Sequence, residues 1–324
     1  MADENSLEET TVMDCLSHEE IDAKLGWPEL IDQLQRWIAA QNVVSPERHV
    51  HSMKQPDGSE ASLLIMPAWV PGQSLGVKVV TFFPQNSTRG QATINACYML
   101  FDGATGRMRS LMDGDAITSW RTAAASALAA RYLARDDASR LLVVGTGQLS
   151  VAMARAHASV RNYDVISVWG RTQSKAAAVA GLLSESGLKT NVAEDLELAC
   201  KTADVISTIT PSDRPIVKGK WLRPGTHLDL VGAFRETMRE SDDQAISQAR
   251  LFVDTRAGAL KSGDLHQPIN SGVIDSSHIQ ADLLDLCNKR HPGRVDGSAF
   301  TVFKSVGMSL EDLAAAELAI EASH

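Results

Sequence analysis

The 324-residue sequence predicts an α/β protein: a doubly wound parallel sheet joined to a second, α+β domain. Three observations predict it. From Ser139 onward, short apolar runs alternate with helix-like segments, the rhythm of a parallel sheet wrapped by helices. Before that point, strand-like runs follow one another with no helix between them. A glycine pair, Gly145-Thr146-Gly147, separates the first apolar run of the alternating region from the helix after it.

Taken in order, the first eleven residues, MADENSLEETT, are acidic and polar and read as a loose tail, not a signal peptide. Ser17 followed by Glu20 forms a capping box, and ELIDQLQRWIAA then sets Leu30, Ile31, Leu34, Trp37 and Ile38 at helical spacing. From Glu47 to Asp113, ASLLIMPAWV, LGVKVVTFF, NACYMLFD and RMRSLMDG read as strands, and FDGATGRM has the Asp/Gly punctuation of a hairpin. SWRTAAASALAARYLA is an alanine-rich helix with Thr118 or Ser119 as its cap. In the alternating region LLVVG, DVISVWG, DVISTIT, HLDLVGAF and LFVDT are strands, while LSVAMARAHASVR and SKAAAVAGLLSESG are helices. The closing SLEDLAAAELAIEA is a helix with no strand to feed, so it is expected to pack back on the first domain. The division expected is residues 1–131 with 301–324 as the α+β domain and 132–300 as the sheet-and-helix domain.

Bulk properties narrow the function. A net charge of −9 supplies no basic excess to neutralise nucleic-acid phosphates. No apolar run approaches the roughly 20 residues of a membrane-spanning helix. Cys15, Cys97, Cys200 and Cys287 are scattered without CxxC spacing, which reads as reduced, buried thiols in a cytoplasmic protein. The nine histidines show no HExxH pairing. His49 and His51 alternate along a strand and read as two side chains on one face, so no metal is expected.

In the setting strand–glycines–helix–strand, a GxGxx[GA]-like motif points to a Rossmann-type dinucleotide site. Gly145 permits the sharp turn, Gly147 lets the backbone approach a pyrophosphate, and Ser150 stands small at the third position. The competing reading is a plain strand-to-helix turn. NAD sites place an acid at the end of the second strand; here VWGRTQSK puts Gly170, Arg171 and Thr172 there. A guanidinium and a hydroxyl suit a 2′-phosphate, so NADPH is favoured over NADH unless Arg171 is merely a solvated loop residue.

Several blocks resemble a known family. GVKVV (Gly76 to Val80), LMDGDAITSWRTAAASALAARYLA (Leu111 to Ala134), GTGQ and FKSVGMSLEDLAAA (Phe303 to Ala316) look like the ornithine cyclodeaminase/μ-crystallin family, in register over nearly the whole chain after the tail. The resemblance implies a homodimer, with the α+β domain carrying the dimer contacts and the active site in the cleft between domains. It further implies a small 2-amino or 2-imino acid substrate. Arg48, Lys78 and Arg121 fall on the family's substrate-carboxylate and catalytic positions. Thr93, Arg121, Thr122 and Ser305 fall near the nucleotide, with Gln148 and Leu149 after the glycines and Val231 at the end of HLDLV completing the cofactor set. Cations suit a carboxylate taken into an apolar cleft.

One departure matters. Ornithine cyclodeaminases carry an aspartate where this chain has Phe234, and a phenyl ring can neither accept a proton nor pair with an ammonium. It suits the methylenes of an unsaturated ring. Asp229, five residues earlier, reads as a strand or cofactor-side contact. The expected activity is therefore NADPH-dependent reduction of a cyclic ketimine carboxylate, Δ1-pyrroline-2-carboxylate or Δ1-piperideine-2-carboxylate. Lys78 either donates the proton or only positions the substrate. The alternatives are ornithine cyclodeaminase, alanine dehydrogenase, a non-catalytic NADPH-dependent small-molecule carrier, and a purely structural Rossmann protein.

Overall fold

The computed structural model describes residues 14–322; the acidic tail lies outside them. The first region comprises β1 (Asp14–Leu16), α1 (His18–Lys24), α2 (Trp27–Ala40), β2 (His49–Lys54), β3 (Glu60–Val70), β4 (Ser74–Phe82), β5 (Ile94–Asp102), β6 (Met108–Asp113) and α3 (Gly114–Leu133). The alternating region continues with β7 (Arg140–Val144), α4 (Leu149–Val160), β8 (Val165–Trp169), α5 (Gln173–Glu185), β9 (Thr190–Val192), α6 (Leu196–Thr202), β10 (Val205–Thr208), β11 (His227–Leu230) and α7 (Asp243–Ser247). It closes with β12 (Arg250–Val253), α8 (Arg256–Ala259), α9 (Gly263–Asn270), β13 (Ile279–Asp282), α10 (Leu283–Cys287), β14 (Thr301–Lys304) and α11 (Ser309–Glu321).

The first sheet has the order β1-β6-β5-β4-β3-β2, antiparallel apart from the β1–β6 edge. Local chemistry places its pieces. Ser17 and Glu20 close the capping box at α1. Asp102 accepts from the Ala104 and Thr105 amides while Gly106 takes φ 73°, so the β5–β6 turn forms where the Asp/Gly punctuation put it. The cap of α3 is a correction. The helix starts at Gly114 with Asp113 accepting from the Ala116 amide at 2.7 Å, and Thr118 lies inside it. A glycine sits at the start because a Cβ there would come within 2.7 Å of the Ala96 and Cys97 backbone on β5.

The second sheet has eight strands in the order β13-β12-β14-β11-β10-β7-β8-β9, all parallel. The order reverses between β7 and β10, which opens a crevice at the carboxyl ends of those strands. The expected boundary at 301 shifts. Thr301–Lys304 pairs between β11 and β12 in the parallel sheet, and only α11 packs back on α2, α3, β3 and β4. Four residues reading TVFK carry nothing local that selects one sheet over the other.

Helix α3 ties the two halves. Fourteen of its twenty residues are buried, and its alanines let α4 approach on one side and α2 and α11 on others. Leu30, Leu34, Ala123, Ala127, Met153, Phe303 and Leu313 share one core across these elements. All four cysteines are free, but only Cys200 and Cys287 are buried; Cys15 is exposed and Cys97 half-buried.

Candidate active site

The crevice between β7 and β10 has the shape of a dinucleotide cradle. Gly145 turns at φ 140°, and a Cβ there would meet the Ile209 carbonyl oxygen at 2.9 Å. At Gly147 a Cβ would meet nothing within 4 Å, so that glycine faces space that the protein leaves open. No side chain caps the N-terminus of α4; the Ser150 amide donates to the Gly147 carbonyl at 3.1 Å, and the helix start beside Gln148 and Leu149 suits an anion. Ser150 is fully buried, as close helix–strand packing requires. At the end of β8, a Cβ on Gly170 would crowd Thr146 Cγ2 at 2.5 Å. Arg171 and Thr172 follow, both exposed, and the Thr172 hydroxyl is not used to cap α5. Val231 and Ser305 stand at the carboxyl ends of β11 and β14, their amides donating to Thr208 and Leu230. These residues fit a nicotinamide dinucleotide.

The cations converge just beyond the carboxyl edge of the sheet. Lys78 is 1% exposed on β4, on the face it shares with Ser74 and Gly76. Its Nζ donates to Asp312 Oδ1 at 2.6 Å and to Thr118 Oγ1 at 3.2 Å. Arg121, buried on α3, donates from Nη1 to Glu311 Oε2 at 2.9 Å, and its Nε lies 3.0 Å from Asp312 Oδ1. Thr122 is buried beside it. Arg48 donates to the Val306 and Gly307 carbonyls at 2.8 and 3.0 Å. The same loop turns its Val306 and Gly307 amides onto buried Asp254, which also accepts from the Ser305 hydroxyl. Gly307, at φ 82°, leaves room for Arg121: a Cβ there would lie 2.8 Å from the Arg121 Cζ.

Electrostatics follow from this geometry. Burial pulls the Lys78 ammonium down to about 8, helped by Arg121 and opposed by Asp312. Burial lowers Arg48 as well, with Arg121 adding to it. Burial also works against the Arg121 charge, but Asp312 and Glu311 outweigh it and raise that group. Glu311 is pushed up to about 7, by burial first, with Asp254 and Asp312 adding to it against Arg121.

Phe234 follows β11 and is 37% exposed. The neighbouring Arg235 guanidinium sits 4.5 Å from the ring centre of Phe82, at the end of β4, and 5.4 Å from that of Phe234. On another edge Lys261 meets Glu47 at 2.7 Å, so both domains touch around the cations. Asp229 points away from the cleft, buried with Ser126, Ser207 and His157 at 3.0, 2.7 and 3.4 Å. Thr93 is not brought to the cluster. It pairs with Phe83, five residues beyond Lys78, which is about 17 Å along a strand. His49 and His51 are exposed on β2.

Sequence reasoning missed Glu311, Asp312 and Asp254. Two acids opening a helix read as ordinary N-terminal charge. The usable signal was their company: apart from Ser309 and Glu317, SLEDLAAAELAI is apolar, so a helix buried nearly throughout had to bury its acids too.

The chain matches the model of the ornithine cyclodeaminase/mu-crystallin family over residues 10–323. It is 42% identical over 316 residues to an uncharacterized protein of Schizosaccharomyces pombe, covering 94% of this chain and 96% of that one. To the Δ(1)-pyrroline-2-carboxylate reductase of Paracoccus denitrificans it is 34% identical over 305 residues, covering 92% and 93%. Among solved structures, that of Thermococcus litoralis Δ(1)-pyrroline-2-carboxylate reductase in complex with NADH and L-proline superposes with a TM-score of 0.90 at 32% identity, covering 96% and 97%. An archaeal alanine dehydrogenase dimer with bound NAD gives 0.88 at 26% identity, covering 96% of each chain.

Proposed function

The chain belongs to the ornithine cyclodeaminase/mu-crystallin family and is an oxidoreductase of carbon–nitrogen double bonds, and on that premise we propose that it reduces a cyclic ketimine carboxylate with NADPH. Δ1-pyrroline-2-carboxylate and its six-membered homologue, giving proline and pipecolate, are the substrates proposed. The observation that carries the reading is the convergence of buried Lys78 and Arg121 with half-buried Arg48 beside the carboxyl edge of the parallel sheet. Arg121 and Arg48 offer forked donors to the substrate carboxylate, the interaction that fixes a small planar ring in one orientation. Lys78, held near neutrality as an acid, supplies charge or a proton at the ring nitrogen. The nicotinamide supplies the hydride to the imine carbon.

Phe234 supports a ring over an open-chain diamine. Phe234, 37% exposed and already facing the Arg235 guanidinium, offers a distal ammonium no hydrogen-bond acceptor and no group to take its proton. Exposed Arg171 and Thr172 support NADPH over NADH, since neither is committed to a partner that a 2′-phosphate would have to displace. A homodimer is part of the same proposal, supported by the half-buried apolar rows Trp69–Leu75–Phe101 and Pro67–Val77–Met99 on one face of the first sheet.

The deciding assay follows NADPH oxidation with both ketimines, beside ammonia release from L-ornithine with NAD. We expect ready NADPH oxidation with at least one ketimine and negligible ammonia. Robust deamination of ornithine, or no oxidation with either ring, overturns the reading.

A further inference from the structure

Arg121 is held from two sides before any ligand arrives, by Glu311 at 2.9 Å and Asp312 at 3.0 Å. Three cations, Arg48, Lys78 and Arg121, here face three carboxylates, Asp254, Glu311 and Asp312, and Lys304 behind Asp254 is paired to Asp264 at 3.1 Å, so the charges balance. A substrate carboxylate seated on Arg121 adds one negative charge to a site removed from water. Two carboxylates that share one cation resist being ionised together, and one of them takes a proton.

The three acids differ in what they would lose. Asp254 accepts from the amides of Thr255, Val306 and Gly307 and from the Ser305 hydroxyl. Asp312 holds Lys78 and Arg121 together on Oδ1, and its Oδ2 is buried with no hydrogen-bond partner. Glu311 holds Arg121 and the Met308 amide on Oε2, while its Oε1 is buried with no hydrogen-bond partner. Both free oxygens could take a proton, but on Asp312 it would weaken the hold on two cations and on Glu311 on one, so Glu311 Oε1 is where it costs least. The charges facing Glu311 are Arg121 from α3, Arg48 from the segment before β2, Asp254 from the end of β12, and Asp312 beside it on α11. Both acids favour protonation of Glu311, and so does its burial.

We propose that Glu311 takes up a proton when an anionic ketimine carboxylate lands on Arg121, making substrate binding proton-coupled; the proposal rests on the ketimine reading above. The bond formed is O–H on Oε1, the proton comes from solvent, and no other bond breaks. A ligand that brings its own positive charge needs no such proton.

Two probes separate these cases. Furan-2-carboxylate is a planar five-membered carboxylate with no basic nitrogen, and L-proline carries an ammonium. Calorimetry on the NADPH-saturated enzyme at pH 7, in buffers of different ionisation enthalpy, counts the protons. With Glu311 titrating at about 7 in the free site, we expect about half a proton per site for furan-2-carboxylate and close to none for L-proline. The Kd for furan-2-carboxylate should be flat below pH 7 and weaken by up to about tenfold per pH unit above it. Glu311→Gln should nearly abolish the uptake at pH 7 and move the break in the profile from about 7 to about 8, the midpoint of Lys78 discharge. Unchanged uptake in that variant, no uptake in the native enzyme, or no binding of furan-2-carboxylate overturns the proposal. Should Glu311→Gln not fold, the native profile decides, since a break near 8 instead of 7 assigns the proton to Lys78. Ketimine turnover without proton uptake sinks this proposal alone, whereas proton-coupled binding without turnover sinks only the ketimine reading.

Discussion

Lys78 carries two burdens at once: it must keep a charge inside a protein and give up a proton near neutral pH. Burial and Arg121 weaken its hold on the proton, and Asp312 at 2.6 Å restores part of it. Lys78→Met removes one cation but leaves Asp312 paired to Arg121, so the fold should survive. We expect kcat to fall by about 10²- to 10⁴-fold, the range for a positioned acid, while the NADPH Kd changes by less than about twofold. Fluorescence titration and initial rates check the two halves, and a variant keeping most of its kcat makes Lys78 a bystander. The proton question has its own test. If Lys78 must be protonated, kcat/KM falls as pH rises through about 8. Lys78→Arg keeps the charge but has no proton to yield at any accessible pH. A donor loses kcat in that variant, whereas a clamp keeps it and shifts the alkaline limb upward. Lys78 was legible from sequence because it interrupts an apolar strand. Asp312, which sets its protonation, was not, because nothing local joins residue 78 to residue 312.

At the scale of elements, each strand–turn–helix unit separates what the fold needs from what the ligand needs. Gly145→Ala forces a side chain into φ 140° against the Ile209 carbonyl, costing about 1–3 kcal/mol and a Tm drop of several degrees. Gly147→Ala meets nothing within 4 Å, so its Tm should hold within about 2 °C while NADPH Kd rises about tenfold or more. Paired melts and NADPH titrations check this, and a Gly147→Ala protein binding NADPH normally would place the pyrophosphate elsewhere. In the β8–α5 turn, Arg171→Ala should erase an NADPH-over-NADH preference of roughly tenfold, chiefly through the NADPH KM. Equal use of both cofactors by the native protein removes that role. These units were legible because their signals are local: a glycine pair, an apolar run and a helical period lie within twenty residues of each other. The start of α3 was misread because Asp113 ends a strand and caps a helix at once, so Thr118 looked like the cap. The sheet to which β14 belongs depends on partners more than forty residues away, at His227 and Arg250.

At the scale of the whole molecule, the first sheet has two unequal faces. One is covered by α11 and α3, with Gly76, Lys78, Tyr98 and Leu100 buried beneath them. The other carries cross-strand rows of apolar side chains, Trp69–Leu75–Phe101 and Pro67–Val77–Met99, all only half-buried. A face of that kind is what obligate dimer interfaces are built from, and each Val or Leu side chain fully covered there contributes about 1.5–3 kcal/mol. A two-fold axis puts the same patch on both partners, so a single charge at its centre acts twice. Val77→Glu places a carboxylate in the middle of the rows on the side away from α11, where it cannot disturb the Lys78–Asp312 pair. We expect light scattering after gel filtration to show the native protein at about twice 34.9 kDa and Val77→Glu at 34.9 kDa, with unchanged far-ultraviolet circular dichroism. A native monomer at micromolar concentration would mean that the apolar rows serve another partner, and a dimeric Val77→Glu would move the interface off this sheet.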